Sequence, residues 1–399
     1  MTPLDGMDVA GKRVLLRLDI NSPIDPQTKK IVNENRLKKS LPTLHYLLDG
    51  GAKVAIIAHQ GDTLDYQNLI PLKEHAEKLT ILSGREVKYI DDVCGPAACE
   101  AVNALREGEC ILLGNLRYLC EEISGFEKEV KLQPCEMLDT WLVRTLAPLF
   151  DLYVNDAFSA AHRNCPSMTA FQQVLPTAAG FLLFDEYKAL YNVLHGAKKP
   201  AVFVLGGAKI SDAFGMMEAV CTMLLAQGVK LGNTTEEFLK ARDLWCFVDQ
   251  AKGLLSRFPD VFELPMDLAF ERDGKREEIK VEALPAEISF CDLGAKTIAA
   301  YSAVIAQAGT IFANGPAGVY ENPLFETGTR AIWNAVANAP GYSVIGGGDT
   351  VSSATKLADI SKIDYVCTAG GAMVRFMSGK KLALVAAMEG AYERAQKHS

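Results

Sequence analysis

The stretch Arg13-Val-Leu-Leu-Arg-Leu-Asp-Ile-Asn-Ser-Pro23 changes character at its midpoint. An apolar run gives way after Arg17 to Asp19, Asn21 and a Ser-Pro turn, and a helical pattern follows over 35–48. A short apolar run of this kind reads as a strand covered on both faces, and the polar residues mark where the chain leaves the sheet. The same grammar recurs at 54–58, 87–90, 110–113 and 152–154, with helical segments at 72–82 and 136–147, and again at 201–205, 310–313, 343–345 and 365–367. Repeated βα units predict an α/β fold of two doubly wound, parallel-sheet (Rossmann-like) domains, with sites at the carboxyl ends of the strands. The Leu-Pro-Thr-Ala-Ala-Gly turn at 175–180 places the change-over, giving domains 1–180 and 181–385, an interdomain helix at 181–195, and a tail, 386–399, that packs back on the first domain. One stretch breaks the pattern. From 214 to 258 only 229–231 and 245–248 resemble strands, so either a βα element is lost near Val229 or residues are missing there.

Composition sets the class. The 399 residues are 49% hydrophobic and 23% charged, which excludes a disordered or low-complexity chain. A net charge of −8 makes nucleic acid and anionic membranes unfavourable partners, so any bound anion must be caught locally. Ten cysteines form no C-x-x-C pair and six histidines are scattered, leaving no zinc or redox motif. Residues 1–11 lack the apolar core of a signal peptide, and no apolar run approaches bilayer length, so a cytoplasmic protein is expected.

Cations follow the strand ends of the first half. Arg17 closes the first strand, Arg36 opens the next helix, His59 follows 54–58, Arg117 follows 110–113, and His162-Arg163 lie beyond 152–154. Each arginine alone is more simply a surface ion-pair member. Together, on one sheet edge, they predict a cleft for a phosphate or carboxylate, which guanidinium grips as a bidentate fork.

Glycine follows strand in the second half, at Gly206-Gly-Ala-Lys209, Asn314-Gly-Pro-Ala-Gly318, Gly346-Gly-Gly-Asp-Thr350 and Ala369-Gly-Gly371. Such turns let backbone N–H groups and helix starts approach phosphate oxygens, so four of them predict a nucleotide site. Lys209 can reach a transferring phosphoryl group. Asp349 can ligate the magnesium of a nucleotide, or simply cap the following helix. Neither a P-loop nor a protein-kinase signature is present.

The phrases Arg17-Leu-Asp-Ile-Asn-Ser-Pro23, Val154-Asn-Asp-Ala-Phe-Ser-Ala-Ala-His-Arg163, Gly206-Gly-Ala-Lys-Ile-Ser-Asp212, Asn314-Gly-Pro-Ala-Gly-Val-Tyr-Glu321 and Gly346-Gly-Gly-Asp-Thr350 resemble the phosphoglycerate kinase family, in order and across nearly the whole chain. Ala58-His-Gln60 and Val143-Arg-Thr-Leu-Ala-Pro-Leu-Phe150 resemble its archaeal branch. The resemblance implies reversible phosphoryl transfer between ATP and the carboxylate of 3-phosphoglycerate, with Mg2+ and ATP or ADP as cofactors and hinge closure between domains. It further implies a monomer, with a dimer as the alternative. Carried over by motif, Asp19, Asn21, Arg36, His59, Arg117 and Arg163 hold the acid. Gly207, Ala208, Lys209, Asn314, Pro316, Gly318, Val319, Glu321, Gly348, Asp349 and Thr350 hold the nucleotide, with Asp349 on the metal. Arg36, Lys209 and the helix start at Gly370-Gly371 stabilise the transfer.

Three departures from the family pattern stand out. Asp62 replaces an arginine expected beside the substrate phosphate, and no Lys or Arg occurs from Gln60 to Leu72. Ala213 replaces a second lysine, and a glycine-rich adenine-side loop after Val229 is absent. They keep two alternatives open: a paralogue that phosphorylates another carboxylate, and a non-catalytic nucleotide-binding protein.

Overall fold

The computed structural model describes residues 1–62, 66–205 and 216–398. The chain forms two compact units, Met1–Lys188 with Arg375–Ser399, and Ala189–Val374.

The first unit is built on six parallel strands: β1 (Arg13–Leu18), β2 (Lys53–Ile57), β3 (Val87–Tyr89), β4 (Cys110–Leu112), β5 (Leu152–Asp156) and β6 (Thr177–Ala179). Their order across the sheet is β3-β4-β2-β1-β5-β6. The period of two along β1 sends Val14, Leu16 and Leu18 into one core and Leu15 into the other, so both faces are covered and the strand reads as a continuous apolar run. Strand β6 falls within the stretch read as a turn at 175–180; three small residues carry no alternation to betray a strand. The helix expected at 136–147 is broken into a 3-10 turn, Glu136–Asp139, and a short helix, Trp141–Leu146, with Pro148 just beyond.

The helix Phe181–His195 starts where the buried Asp156 carboxylate accepts the Leu183 N–H at 2.9 Å and Thr43 Oγ1 accepts that of Phe181 at 2.9 Å. The division between the units falls inside it, after Lys188. The helix Ala383–His398 belongs to the first unit, where Leu384 N–H donates to the Ala161 carbonyl at 3.0 Å and Arg394 Nη2 to that of Gln172 at 2.8 Å.

The second unit carries four parallel strands, β7 (Ala201–Leu205), β11 (Thr310–Asn314), β12 (Tyr342–Gly346) and β13 (Tyr365–Cys367), in the order β13-β12-β11-β7. Beside them stands a three-stranded antiparallel sheet of β8 (Asp267–Arg272), β9 (Lys275–Lys280) and β10 (Phe290–Leu293) that the βα reading did not foresee. Its hairpin turns at Asp273-Gly274, both at positive φ, a two-residue signal present in the sequence. The anomalous stretch is helical: Met216–Ala226, Asn233–Ala241 and Phe247–Arg257 fill it, and the strands expected at 229–231 and 245–248 do not form. Leu231, Leu239 and Leu244 bury their side chains in the core of this unit, which accounts for apolar residues there without a strand. Among the described residues no helix is long and apolar enough to cross a membrane.

Candidate active site

Parallel register fixes the first unit's cluster. Arg17 lies beside Ile57 of β2 and Asn155 of β5, so the segments that leave β1, β2 and β5 emerge at one edge. Arg17 is 2% exposed. Its Nη2 donates to His59 Nδ1 at 2.9 Å and its Nε to Ser167 Oγ at 3.3 Å. The buried Glu122 carboxylate holds Ser167 in turn, through the backbone N–H at 2.6 Å and the hydroxyl at 2.7 Å. Arg36 Nη1 is paired with Asp19 Oδ2, and Asp19 Oδ1 accepts the Asn21 N–H at 3.2 Å. Asn21 Oδ1 accepts from Gly61 N–H at 3.2 Å, tying the exit of β1 to that of β2. Asn115 Oδ1 takes the Arg117 N–H at 3.0 Å and that of Gln60 at 3.2 Å, so Arg117 is tied to the same place.

His59 registers the field of this assembly. Burial first, then the charges of Arg17, Arg117, Arg163 and Arg36, hold its imidazole well below the ordinary histidine range. All six acid-site residues expected from the sequence therefore meet in one cluster, with Arg17 added. Arg117 is 6% exposed, and among the described residues its Nε and Nη1, like Arg163 Nη2, have no hydrogen-bond partner. His162 is also lowered, by burial and then by Arg375 and Arg163. The thiol of Cys165 is pushed up to about 12 by burial and then by Glu122, so it stays neutral among the arginines and is no nucleophile.

Asp62, the acid standing where an arginine was expected, accepts a hydrogen bond from Ser124 Oγ. Its Oδ2 lies 3.7 Å from Arg163 Nη1 and 3.9 Å from Arg117 Nη2. Ser124, Ser167, Glu122 and Asn115 were not singled out in the sequence; each acts on a partner distant along the chain, and no local pattern announces that.

The second unit's loops are stitched at the carboxyl edge of its parallel sheet. Asn314, ending β11, donates through Nδ2 to the Gly346 carbonyl at 2.6 Å, and Thr350 Oγ1 accepts the Gly315 N–H at 2.7 Å. Thr329 Oγ1 accepts both Ala317 and Gly318 N–H at 3.0 Å. Gly347 has φ +104°, and a Cβ there would stand 2.6 Å from Asn314 Nδ2. A Cβ on Gly370 would meet the Gly347 Cα at 3.9 Å, so the loops after β12 and β13 adjoin.

Gly348, Asp349 and Thr350 form the first turn of the helix Gly348–Leu357, with Gly347 rather than Asp349 at its N-cap. The capping role weighed for Asp349 is not realised, and its carboxylate is exposed. Pro316 is half-buried and Gly318 buried on Asp292, whereas Val319 and Glu321 are exposed. Gly371 opens a short helix, Gly371–Met377. Gly207, Ala208, Lys209 and Ala213 lie outside the described residues.

Fold and loops together define a class: a two-unit α/β protein with a guanidinium cluster on one parallel sheet and glycine-lined, helix-starting loops on the other. Residues 4–380 match the phosphoglycerate kinase family. The phosphoglycerate kinase of Methanothermobacter thermautotrophicus is 39% identical over 402 residues, covering 97% of this chain and 96% of that protein. That of Pyrococcus furiosus is 35% identical over 414 residues, covering 99% and 98%. The crystal structure of phosphoglycerate kinase from Pyrococcus horikoshii OT3 superposes with a TM-score of 0.87 at 34% identity, over 98% of this chain and all of that one. The structure of the Coxiella burnetii enzyme gives 0.79 at 30% identity. The chain belongs to the phosphoglycerate kinase family and is an ATP-dependent kinase whose acceptor is the carboxylate of 3-phosphoglycerate. A match of this length favours that activity over the paralogue and the non-catalytic reading.

Proposed function

We propose that the first unit's cluster binds 3-phosphoglycerate through Asp19, Asn21, Arg36, His59, Arg117 and Arg163, and that the second unit's loops bind the nucleotide. The observation that carries this reading is that three buried guanidinium nitrogens, Arg117 Nε and Nη1 and Arg163 Nη2, have no hydrogen-bond partner among the described residues. A buried donor left unsatisfied is costly, and an anionic oxygen relieves it with a charge-assisted bond. In the second unit, the backbone of Asn314–Gly318 and Gly346–Thr350 cradles the phosphates. Gly207, Ala208, Lys209, Pro316, Val319 and Glu321 complete the nucleotide's surroundings.

Magnesium fits this setting. Among the described residues no group of three or more His, Cys, Asp or Glu could ligate a metal, but Mg2+ commonly takes one carboxylate together with nucleotide oxygens and water. Asp349, exposed in the first turn of its helix, is that carboxylate. When bound, the ion offsets negative charge on the β- and γ-phosphates.

A carboxylate oxygen of the acid attacks the γ-phosphorus in line, and the bond from phosphorus to the β,γ-bridging oxygen breaks, leaving 1,3-bisphosphoglycerate and ADP. Arg36, Lys209 and the helix start at Gly370-Gly371 stabilise the charge on the phosphoryl group in flight. His59, uncharged, orients rather than exchanges protons. In-line transfer requires the two ligands to meet, so closure of the units belongs to this reading, as do a cytoplasmic location and a monomeric chain.

The test is a coupled assay with Mg-ATP and 3-phosphoglycerate beside a panel of other carboxylates. Turnover confined to 3-phosphoglycerate and abolished in Arg117→Ala is expected. Equal or better turnover of another acid would overturn the acid-site reading.

A further inference from the structure

The arginine pair that faces an incoming anion already faces one. Asp62 Oδ2 is held by the Ser124 hydroxyl and stands 3.7 and 3.9 Å from Arg163 and Arg117. These are ion-pair distances rather than hydrogen-bond distances. Asp62 thus lowers the electrostatic potential between the two guanidiniums, while Arg117 Nε and Nη1 and Arg163 Nη2 have no partner among the described residues. Glu127 takes another share of Arg163, accepting from its Nε at 2.5 Å. The site therefore keeps these three guanidinium nitrogens for an incoming anion but only part of its positive charge. A sequence that merely lacked a cation at this position would leave the field reduced by one charge; an acid there reduces it by two.

We propose that Asp62 is an affinity- and specificity-setting residue: a resident carboxylate that competes with the phosphate of the acid substrate for Arg117 and Arg163. This rests on the acid-site reading above. When phosphate arrives, its oxygens take the vacant guanidinium hydrogens, and the Asp62 carboxylate turns from counter-ion to like charge. Repulsion between the two weakens the bound state, so the acid is held loosely and exchanged rapidly. The same repulsion falls hardest on dianionic groups, so Asp62 narrows the advantage of a phosphate over a singly charged group.

The experiment measures binding of 3-phosphoglycerate and, separately, of inorganic phosphate to the full chain by calorimetry, in wild type, Asp62→Asn, Asp62→Ser and Asp62→Glu. Both neutral variants are expected to bind both anions about tenfold more tightly, the effect of removing one unit charge near a partly solvated anion. KM for the acid should fall with them, and the tightening should shrink as salt rises. Asp62→Glu, which restores the charge, should return affinities to within about twofold of wild type, which a purely structural role would not require. Unchanged or weaker anion binding in the folded neutral variants would overturn the proposal. Failure of both to fold would overturn it too, since Asp62 would then be a structural counter-ion. Absence of wild-type turnover with 3-phosphoglycerate would instead sink the functional reading, and the inorganic phosphate measurements would still decide the role of Asp62.

Discussion

Arg17 Nη2 and His59 Nδ1 share a hydrogen bond of 2.9 Å between two buried side chains. A guanidinium only donates, so Nδ1 of His59 accepts and its proton sits on Nε2. Protonating His59 would break that bond and add a fifth positive charge to four arginines. The histidine amid the cationic cluster is thus held neutral, and the N–H it keeps, on Nε2, is a donor.

The acid side of the stability profile follows. Burial brings His75 down to about 4, against about 6.5 in an unfolded chain, and His59 is lowered as well. A lowered folded value means that the unfolded chain binds more protons below about pH 6.5, so stability contributed by these histidines is present above that pH and is lost as pH falls towards 4. Burial also raises Asp156 and Asp292 to about 6; their contribution has the opposite sign in the same window. The difference between wild type and His75→Gln therefore isolates the histidine. Between pH 7 and 4.5 the variant is expected to lose about 2 kcal/mol less than wild type in urea unfolding, and parallel profiles would refute the assignment.

Arg36→Ala and Lys209→Ala should each lower kcat on the order of 10²- to 10³-fold while changing substrate affinity far less, because their charges act on the phosphoryl group in transit. Arg36 also pairs with the buried Asp19, so its variant should be less stable as well; thermal melts must accompany the kinetics. Loss of affinity at unchanged kcat would make both residues simple anchors.

How much of this was legible depends on how local the signal is. Val14 to Leu18 announced a strand because a parallel sheet is covered on both faces, and the polar residues after it, Asp19 and Asn21, announced the sheet edge at which the arginine cluster stands. Strand β6 escaped notice because Thr177-Ala-Ala179 is too short to alternate. The hairpin at Asp273-Gly274 carried a usable signal that the βα grammar overrode. Glu122 was invisible for another reason: it serves Ser167, 45 positions away, and only tertiary packing creates that need. Asp62 was conspicuous as a departure, yet its pairing with Arg117 and Arg163 could be read only from the fold.

Gly347→Ala tests the second unit's stitching. At φ +104° an alanine is strained, and its Cβ would stand 2.6 Å from Asn314 Nδ2 and 3.1 Å from Thr350 Oγ1. The variant should lose about 1–3 kcal/mol of stability and bind nucleotide more weakly, with binding of the acid unchanged. Wild-type nucleotide affinity in calorimetry would remove this loop from the site.

Asp349→Asn separates the metal role from the phosphate loop. The side chain is exposed in the first turn of Gly348–Leu357, where Gly347, not Asp349, occupies the N-cap; the helix should therefore tolerate the amide. Its two consequences oppose each other without metal and agree with it. Removing an anion near the helix start reduces repulsion toward free ATP, so affinity for ATP alone should stay level or rise slightly. Removing a hard oxygen ligand should weaken Mg-ATP by about tenfold and raise the magnesium concentration needed for half-maximal rate. Titrating ATP in the presence of chelator, then with excess magnesium, reads both effects on one protein. Equal losses in the two conditions would place Asp349 in the loop's structure rather than on the metal, and no loss in either would remove it from the site.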